Sequence, residues 1–237
     1  MKVIAVIPAR FESTRFPGKA LTDLAGKPLV QRVYEQVGLC EGIDEVLIAT
    51  DDERIMSAAN AFGAAAVMTS SSCTSGTDRV AQAVENVAAD AVINIQGDQV
   101  KFDSHAISTM IAELRDGCAM ATIATPAAEE DLNDPNSVKL VCNQNGYALY
   151  FSRASIPYMQ TTRRLPPLKH IGIYGFSRKT LFEFTNLAPS PLELTESLEQ
   201  LRALENGIPI KVVVAQGEFF EINTPDDKDR LIRCWQS

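Results

Sequence analysis

The sequence predicts an α/β protein with a mostly parallel sheet and helices on both faces. Short apolar runs, rich in branched residues and bounded by turn or charged residues, are typical of buried strands. Between them lie segments with apolar residues at three- and four-residue spacing, which is typical of amphipathic helices. Strands that alternate with helices form parallel sheets. Ligands of such sheets bind beyond the carboxyl ends of the strands, so we expect a site there.

The alternation is clearest in the first half of the chain. Pro28 suits the first position of a helix, and Asp52 and Ser104 are predicted helix caps. The predicted strands are Val3–Ile7, Glu45–Ala49, Ala91–Ile95 and Met120–Ala124. The predicted helices are Pro28–Leu39, Asp52–Phe62, Thr77–Val87 and Ser104–Leu114.

After residue 126 the pattern changes to a mixture of hairpin, loop, helix and late strands. Asn143–Gly146 is a turn sequence in which Gly146 supplies a positive φ, so its flanking runs predict a hairpin. The polar stretch Gln160–Lys169 predicts a surface loop. The predicted strands are Ser137–Cys142, Tyr147–Phe151, Ile171–Phe176, Ile210–Ala215 and Phe219–Asn223; the predicted helices are Leu192–Leu204 and Pro225–Trp235.

Composition excludes several classes of protein. The chain has 237 residues, of which 46% are hydrophobic, enough for a sizeable core without disulfides. A net charge of −8 argues against nucleic-acid binding, although a local cluster of cations can still bind an anionic ligand. Five cysteines without a CxxC pair favour reduced thiols in the cytoplasm. The apolar run Val3–Ile7 is too short for a signal peptide, and no apolar stretch is long enough for membrane insertion.

The most informative stretch is Pro8–Lys19, PARFESTRFPGK, which follows the first predicted strand. It concentrates the cations Arg10, Arg15 and Lys19 with hydroxyl groups at the expected site. Arginine forms forked hydrogen bonds with phosphate oxygens and lysine supplies a compact charge, so the loop predicts binding of a nucleoside triphosphate. It matches neither a Walker A motif nor a dinucleotide-binding fingerprint, and a solvated basic loop is the alternative.

Two further segments carry candidate binding residues. Asp98 follows Gln96-Gly97 after the strand Ala91–Ile95, where it either faces the ligand or belongs to a tight turn. Ser75–Arg79 opens a helix, whose first N–H groups and the Arg79 charge suit an anionic or sugar ligand. A simple helix cap with a surface arginine is the alternative for that segment.

The loop PARFESTRFPGK closely resembles the signature loop of the 3-deoxy-manno-octulosonate (Kdo) cytidylyltransferases, and further segments agree in the same order along nearly the whole chain. Any one of them is weak evidence, whereas the ordered set is specific. The matching segments are Gly26-Lys27-Pro28, Ser75–Arg79 (SGTDR), Tyr150–Pro157 (YFSRASIP), His170–Tyr174 (HIGIY), and Ser190–Glu193 (SPLE) followed by Glu199–Arg202 (EQLR).

The resemblance implies a Rossmann-like fold of the nucleotide-diphospho-sugar transferase type with a smaller mixed lobe that forms a homodimer. It implies a nucleotide-binding core over 1–126, a sugar-binding and dimerisation lobe over 127–209, and a return to the core over 210–237. The implied reaction joins CMP from CTP to the anomeric hydroxyl of a 3-deoxy-octulosonic acid, releases pyrophosphate, and serves lipopolysaccharide synthesis.

The resemblance also implies roles for individual residues. Lys19, Arg10 and Asp98 would be catalytic, and Mg²⁺ would be bound by Asp98 and Asn223. The nucleotide-binding residues would be Pro8, Ala9, Arg10, Ser13, Arg15, Lys19, Ser75, Gly76, Asp78 and Arg79. The sugar-binding residues would be Gln96, Arg153, His170, Tyr174, Glu199 and Gln200.

The chain departs from the family's pattern at two places. Gln99-Val100 stands where the family usually has glutamate and proline, and Asn223 stands where it has a ligand aspartate. Glu221 occupies an expected glycine position. Because residues two apart in a strand point to the same face, Glu221 and Asn223 are expected to share one face. We hypothesise that a carboxylate has been relocated, either to support the metal through water or to meet the ammonium group of an 8-amino analogue of Kdo.

Two other functions are compatible with these residues. One is activation of a different sugar acid, such as a relative of sialic acid, although the SPLE and HIGIY segments argue against it. The other is nucleotide binding without catalysis, if Asn223 cannot replace the ligand aspartate. Loss of glutamate at position 99 also argues against extra recognition of an ammonium group, so Kdo and its amino analogue both stay open.

Overall fold

The computed structural model describes residues 1–12, 16–162 and 164–236, with side chains up to residue 233. The chain divides into two compact units, one formed by Met1–Ser104 with Glu218–Ser237 and the other by His105–Gly217. No helix within the described ranges is long and apolar enough to cross a membrane.

The first unit is built on four parallel strands. They lie in the order β4-β1-β2-β3, with β1 at Val3–Ala9, β2 at Glu45–Thr50, β3 at Ala65–Met68 and β4 at Ala91–Asn94. Residues 3–7 of β1 are completely buried, because β1 is flanked by strands on both edges and covered by helices. Pairing of Ala9 with Thr50 and of Val6 with Asn94 brings the carboxyl ends of β1, β2 and β4 to one edge.

Among its described residues the first unit contains four α-helices, and one of them begins directly after a predicted cap. The helices are α1 (Leu29–Val37), α2 (Glu53–Ala61), α3 (Gly76–Ala83) and α8 (Pro225–Gln236). Asp52 caps α2 by accepting the N–H of Arg54 at 2.9 Å. Pro28 is extended (ψ 145°) and lies one position before the first helical residue of α1, not in it as predicted. Strand β3 was not predicted; it has only four residues, and they are half-buried or exposed because β3 lies at the edge of the sheet.

A short antiparallel ribbon completes the first unit. Strand β5 (Gln99–Lys101) pairs with β11 (Phe220–Glu221), and the register shifts between the two residues of β11. The predicted strand Phe219–Asn223 is therefore reduced to two residues. Ile222 extends the contact by donating its N–H to the carbonyl oxygen of Asp98 at 3.0 Å. This ribbon places a segment near the end of the chain beside the turn that follows β4.

The second unit combines parallel and antiparallel pairing. Its strand β10 runs parallel to β6, whereas β9 runs antiparallel to β6 and to β7. A hairpin joins β7 to β8, and Gly146 in its turn has the predicted positive φ of 76°. The elements are α4 (Ser104–Arg115), β6 (Met120–Pro126), β7 (Lys139–Cys142), β8 (Ala148–Ser152), β9 (Leu168–Ser177), α5 (Arg178–Thr185), α6 (Pro191–Glu196), α7 (Leu201–Glu205) and β10 (Ile210–Val214).

The predicted helix Leu192–Leu204 is wrong, because it is broken into α6 and α7. Ser197 at the break has a left-handed φ of 53°. The guanidinium of Arg153 donates to the carbonyl oxygens of Glu196 (2.8 Å) and Ser197 (3.2 Å), which stabilises the end of α6. Beyond the break, Arg202 of α7 folds back and forms a buried ion pair with Glu193 of α6 at 2.5 Å. These long-range contacts outweigh the local helical pattern.

Candidate active site

A cavity of about 180 Å³ opens at the carboxyl end of β1, within the first unit. Seven of the residues that line it were predicted to bind nucleotide or sugar, and they come from three separate stretches of sequence. The lining residues are Pro8, Ala9, Arg10, Cys73, Thr74, Ser75, Gly76, Arg79 and Gln96. Cys73 and Thr74 were missed, although their position just before the SGTDR segment was a signal that could have found them.

The N-terminus of α3 forms one wall of this cavity. Ser75 accepts the N–H of Asp78 at 3.0 Å, and the Asp78 carboxylate accepts the N–H of Ser75 at 3.1 Å. Asp78 also accepts the hydroxyl of Thr74 at 2.6 Å. The predicted nucleotide ligand Asp78 therefore acts as a helix cap, which orders the wall. The first N–H groups of an eight-residue helix carry a partial positive charge that suits an anion.

Arg79 lies behind that wall and is anchored from two sides. Its guanidinium is 5% exposed and donates to the hydroxyl of Thr69 and to the carboxylate of Asp51, both at 2.6 Å. Asp51 directly follows β2, so the ion pair ties the carboxyl end of that strand to α3. The sequence identified Arg79 but not its partner. Because the charge is already paired, Arg79 contributes shape and polarity to the cavity more than net positive charge.

Lys19 and Asp98 form an ion pair near the carboxyl end of β1. The Lys19 ammonium lies 2.6 Å from a carboxylate oxygen of Asp98, and both side chains are about four-fifths buried. Gly97 brings the turn close to β1, since a Cβ there would lie 2.8 Å from the carbonyl oxygen of Pro8. The turn itself is closed by the Gln99 N–H donating to the carbonyl oxygen of Gln96 at 3.0 Å. Both interpretations of Asp98 are therefore compatible: it occupies a tight turn and meets a predicted catalytic cation.

The predicted phosphate loop is closed at its base. Gly18 donates its N–H to the carbonyl oxygen of Phe11 at 3.0 Å, and its φ of 69° is one that glycine adopts without strain. The Arg54 guanidinium of α2 stacks 3.3 Å from the centre of the Phe11 ring. Hydrogen bonds from Arg54 lower the pKa of Asp52 to about 2. The predicted ligands Ser13 and Arg15 lie outside the described residues.

Asn223 and Glu221 share one side of the chain, as the sequence predicts. The Asn223 amide donates to the Glu221 carboxylate at 3.3 Å. Together with Asp98 they offer the hard oxygen ligands that Mg²⁺ accepts alongside phosphate oxygens. Within the described part of the chain, no group of three or more His, Cys, Asp or Glu side chains forms a ready-made metal site. The residues therefore fit a magnesium ion that is completed by substrate, and not an all-protein cage.

The second unit carries a separate polar cluster around His170. Its ring nitrogen Nε2 lies 2.9 Å from the hydroxyl of Thr122, and that hydroxyl donates to the carbonyl oxygen of Ile173 at 2.8 Å. Because a hydroxyl has one hydrogen and Thr122 directs it at Ile173, Nε2 is assigned as the donor and Nδ1 as the acceptor. Burial lowers the pKa of His170 to about 3, so the ring is neutral at physiological pH. Tyr174 stacks on His170 with ring centres 5.4 Å apart.

Tyr174 and Gln200, both predicted sugar ligands, are buried in the second unit. Burial, reinforced by the charge of Glu199, raises the pKa of Tyr174 far above its ordinary value. Gln200 is 3% exposed, and its amide nitrogen has no hydrogen-bond partner among the described residues. A buried amide without a partner is costly, which points to a ligand or water at that nitrogen.

Arg153 differs from the other predicted sugar ligands. In addition to Glu196 and Ser197, its guanidinium donates to the carbonyl oxygen of Pro135 at 2.7 Å. The backbone N–H of Arg153 donates to the Glu196 carboxylate at 3.0 Å. These bonds direct the side chain toward the backbone, so its observed role is to shape the segment between α6 and α7.

Comparison with known proteins identifies the family of this chain. The family model described as cytidylyltransferase matches residues 4–212. The 3-deoxy-manno-octulosonate cytidylyltransferases of Geobacter sulfurreducens and Synechococcus elongatus are 42% and 45% identical to this chain, covering 98% and 100% of it and 98% and 99% of their own lengths.

A solved structure of CMP:2-keto-3-deoxy-manno-octonic acid synthetase complexed with CTP is 39% identical. It superposes with a TM-score of 0.94 over 100% of this chain and 99% of that one, which confirms the predicted fold class. The chain belongs to the family of the 3-deoxy-manno-octulosonate cytidylyltransferases, and it is a nucleotidyltransferase.

Proposed function

We propose that this protein transfers CMP from CTP to the anomeric hydroxyl of a 3-deoxy-octulosonic acid and releases pyrophosphate, as a step in lipopolysaccharide synthesis. The observation that carries the proposal is the polar cavity at the carboxyl end of β1, bounded by Arg10 and the N-terminus of α3. The Lys19–Asp98 pair lies in the same unit. This combination of cations, helix N–H groups and a carboxylate suits a triphosphate that is bound with a metal ion.

On the nucleotide side, each residue has a chemical task. Pro8 and Ala9 would pack against the nucleoside, while Arg10 and the N–H groups of Ser75 and Gly76 would bind phosphate oxygens. Lys19 would neutralise the charge that develops on pyrophosphate as it leaves. Ser13 and Arg15 are proposed to add further bonds to the phosphates. Gln96 lines the same cavity and is proposed to contact the sugar.

Asp98 and Asn223 are proposed to hold Mg²⁺, with Glu221 acting through water. When bound, the ion would neutralise phosphate charge and help to align the α-phosphate. The residues themselves orient the reactants, so that the anomeric hydroxyl attacks the α-phosphorus in line with the departing pyrophosphate. Catalysis of this type depends on positioning and charge stabilisation, without a covalent intermediate on the protein.

On the sugar side, the second unit offers neutral hydrogen-bonding groups suited to hydroxyls. Nδ1 of the neutral His170 ring would accept a hydroxyl hydrogen, and the Gln200 amide nitrogen would donate to a sugar oxygen. Tyr174 and Glu199 are proposed to complete this set. Arg153 is proposed to contribute to the sugar carboxylate mainly by ordering the segment that carries Glu199 and Gln200.

Pyrophosphate release from CTP, measured with Mg²⁺ and a panel of 3-deoxy-ulosonic and sialic acids, tests this function. We expect turnover with an eight-carbon acid and a loss of at least 30-fold in kcat/KM for Arg10→Ala. Lys179→Ala, on the exposed surface of α5, is the matched control and should match wild type. Preference for a sialic acid would support the alternative substrate, and CTP binding without turnover of any acid would support the non-catalytic alternative.

As the alternative to its water-mediated role at the metal, we propose that the Glu221 carboxylate favours an 8-amino analogue of Kdo, because an ammonium group is stabilised by a nearby carboxylate. Wild type, Glu221→Gly and Asn223→Asp should be compared with Kdo and with the amino analogue. The ratio of the two kcat/KM values should move toward Kdo at least fivefold in Glu221→Gly. An equal preference for Kdo in all three proteins would rule the idea out.

A homodimer in the cytoplasm is the state we propose for the working enzyme. The second unit exposes Leu149, Tyr158, Leu165 and Leu194 by 60 to 86%, which supports an apolar contact with a second copy. The described cysteines Cys40, Cys73, Cys118 and Cys142 are free thiols, in keeping with a reducing compartment. Light scattering should give twice the 25.8 kDa mass of one chain, and a monomer at micromolar concentration would contradict the proposal.

A further inference from the structure

The ribbon of β5 and β11 is held by very few backbone contacts. Only two residues of β11 pair with β5, and consecutive residues Phe220 and Glu221 lie opposite Lys101 and Gln99. Val100 is therefore an extra residue on β5. The ribbon contains a β-bulge at this position. A bulge disrupts the regular ladder of hydrogen bonds, and a two-stranded ribbon is only marginally stable. Some other contact must fix its geometry.

The Gln99 side chain supplies that contact. It is completely buried, and its amide nitrogen donates to the carbonyl oxygen of Lys101 at 2.9 Å and to that of Phe220 at 3.3 Å. One amide group thereby spans the bulge on its own strand and reaches across to the partner strand. Only a side chain with two hydrogens on one terminal atom can satisfy both oxygens.

The same residue also closes the turn that contains Asp98. The Gln99 N–H donates to the carbonyl oxygen of Gln96, and Ile222 donates its N–H to the carbonyl oxygen of Asp98, both at 3.0 Å. The backbone of Gln99 is thus part of the Asp98 turn, while its side chain holds the strand that leads to Asn223. A shift of β11 would change where Glu221 and Asn223 lie relative to Asp98.

Charge explains why an amide is suited to this position. Gln99 pairs directly with Glu221 across the ribbon. Side chains of directly paired residues lie on the same face with Cβ atoms about 5 Å apart, and like charges there repel. A carboxylate at position 99 would oppose Glu221 and would also face two carbonyl oxygens. The neutral amide at 99 and the carboxylate at 221 are therefore a matched pair.

We infer that Gln99 is a positioning residue, which fixes the spacing between Asp98 and the Glu221–Asn223 pair, and that its amide is required because Glu221 lies opposite. The functional part of this inference rests on the proposed transfer reaction. The structural part concerns the ribbon alone and can be measured without CTP, sugar or metal.

Hydrogen exchange of the Ile222 amide, in the protein without substrates or metal, reports whether the ribbon stays docked. Gln99→Met keeps the length of the side chain but removes both hydrogen bonds, so exchange should be at least tenfold faster than in wild type. Lys101→Gln is the matched control, because it removes the exposed ion pair with Glu218 but keeps the carbonyl oxygen that Gln99 uses. It should exchange at the wild-type rate.

A double-mutant cycle tests the pairing with Glu221. In Gln99→Glu the Mg²⁺ concentration for half-maximal pyrophosphate release should rise at least fivefold, and Ile222 exchange should again accelerate. Adding Glu221→Gln removes one of the two like charges but does not restore the two hydrogen bonds, so the double variant should recover at least twofold from Gln99→Glu while staying impaired relative to Glu221→Gln alone. Glu221→Gln should give no such recovery in Gln99→Met, which lacks the hydrogen bonds whatever the charge opposite.

Independent effects of the two substitutions, or wild-type exchange of Ile222 in Gln99→Met, would overturn the inference. If Gln99→Met fails to fold, the cycle with Gln99→Glu still decides, because the bonds to Lys101 and Phe220 are absent both in Gln99→Glu and in the double variant, so that Glu221→Gln changes only the charge opposite. A wild-type protein that releases no pyrophosphate would refute the proposed reaction but would leave the exchange results and their interpretation intact.

Discussion

Lys19 and Asp98 are separated by 79 residues in sequence, yet the lysine ammonium lies 2.6 Å from the aspartate carboxylate. Lys19 follows the loop closed by Gly18, and Asp98 lies in the turn after β4, so the pair joins the two segments richest in predicted catalytic residues. Each charge balances the other in a largely buried place. When a triphosphate and its metal ion bind, Lys19 can pair with a phosphate oxygen and Asp98 with the metal ion. Neither charge is then left unpaired.

Removing either member should therefore affect catalysis more than folding. We expect Asp98→Asn and Lys19→Met each to lower kcat/KM for CTP at least 100-fold, equivalent to about 2.7 kcal/mol of transition-state stabilisation. Pyrophosphate release measures this, and thermal unfolding checks that both variants fold. Lys27→Met, which removes the outlying ion pair with Glu35, is the control and should keep wild-type activity. Activity of Asp98→Asn within fivefold of wild type would contradict the assignment.

Gly97 is predicted to tolerate no side chain. A Cβ at this position would lie 2.8 Å from the carbonyl oxygen of Pro8, which belongs to the buried strand β1 and cannot move aside. Gly97→Ala should lower the free energy of unfolding by about 2 kcal/mol and displace Asp98, with a large loss of turnover. Denaturant unfolding and pyrophosphate release measure the two effects. Gly172→Ala is the matched control, since its Cβ would meet nothing within 4 Å. Similar behaviour of the two variants would refute the close-approach explanation.

His170 should make stability depend on pH. Its pKa is lowered by burial from 6.5 to about 3, so between these values the unfolded chain binds more protons than the folded protein. The free energy of unfolding should therefore fall as the pH drops below about 6.5, by up to about 1.4 kcal/mol per pH unit. Denaturant unfolding at pH 7, 6 and 5 measures how steeply the free energy of unfolding changes with pH. These pH values lie above the range in which carboxylates titrate.

His170→Gln should flatten this slope, because glutamine can still donate to Thr122 but does not titrate. The exposed second histidine provides the control variant His105→Gln, which should keep the wild-type slope. If wild type and His170→Gln show the same dependence between pH 7 and 5, another group is responsible.

Lys139 should be essential for the stability of the second unit. It is completely buried, and its ammonium donates to the carbonyl oxygens of Asp134, Ser137 and Arg153 at 2.5 to 2.8 Å. Lys139→Met removes the ammonium donor from all three oxygens, of which that of Asp134 keeps only the N–H of Ser137, so we expect a loss of about 3 kcal/mol in the free energy of unfolding. The exposed Lys179→Met should change it by less than about 0.5 kcal/mol. Equal effects in denaturant unfolding would show that the carbonyl contacts contribute little.

Local patterns were enough for much of the fold. Strand β1 was predictable because Val3–Ile7 is buried on both faces, which requires a continuous apolar run in the sequence. The Asp52 cap was predictable because it depends on an N–H only two residues away. The helix Leu192–Leu204 was predicted wrongly because its break depends on Arg153, which is distant in sequence. Strand β3 and the ribbon strand β5 were missed because they are short and lack a periodic pattern.

The sequence by itself determined the fold class and the family, because these depend on periodicity and on ordered motifs. Only the tertiary structure decided what each polar residue contacts. It paired Lys19 with Asp98, turned Asp78 into a helix cap, and placed Gln99 directly opposite Glu221. The physical reason is that a hydrogen bond or ion pair depends on ångström-scale distances between segments, and these distances are set by strand register and turns far apart in the chain.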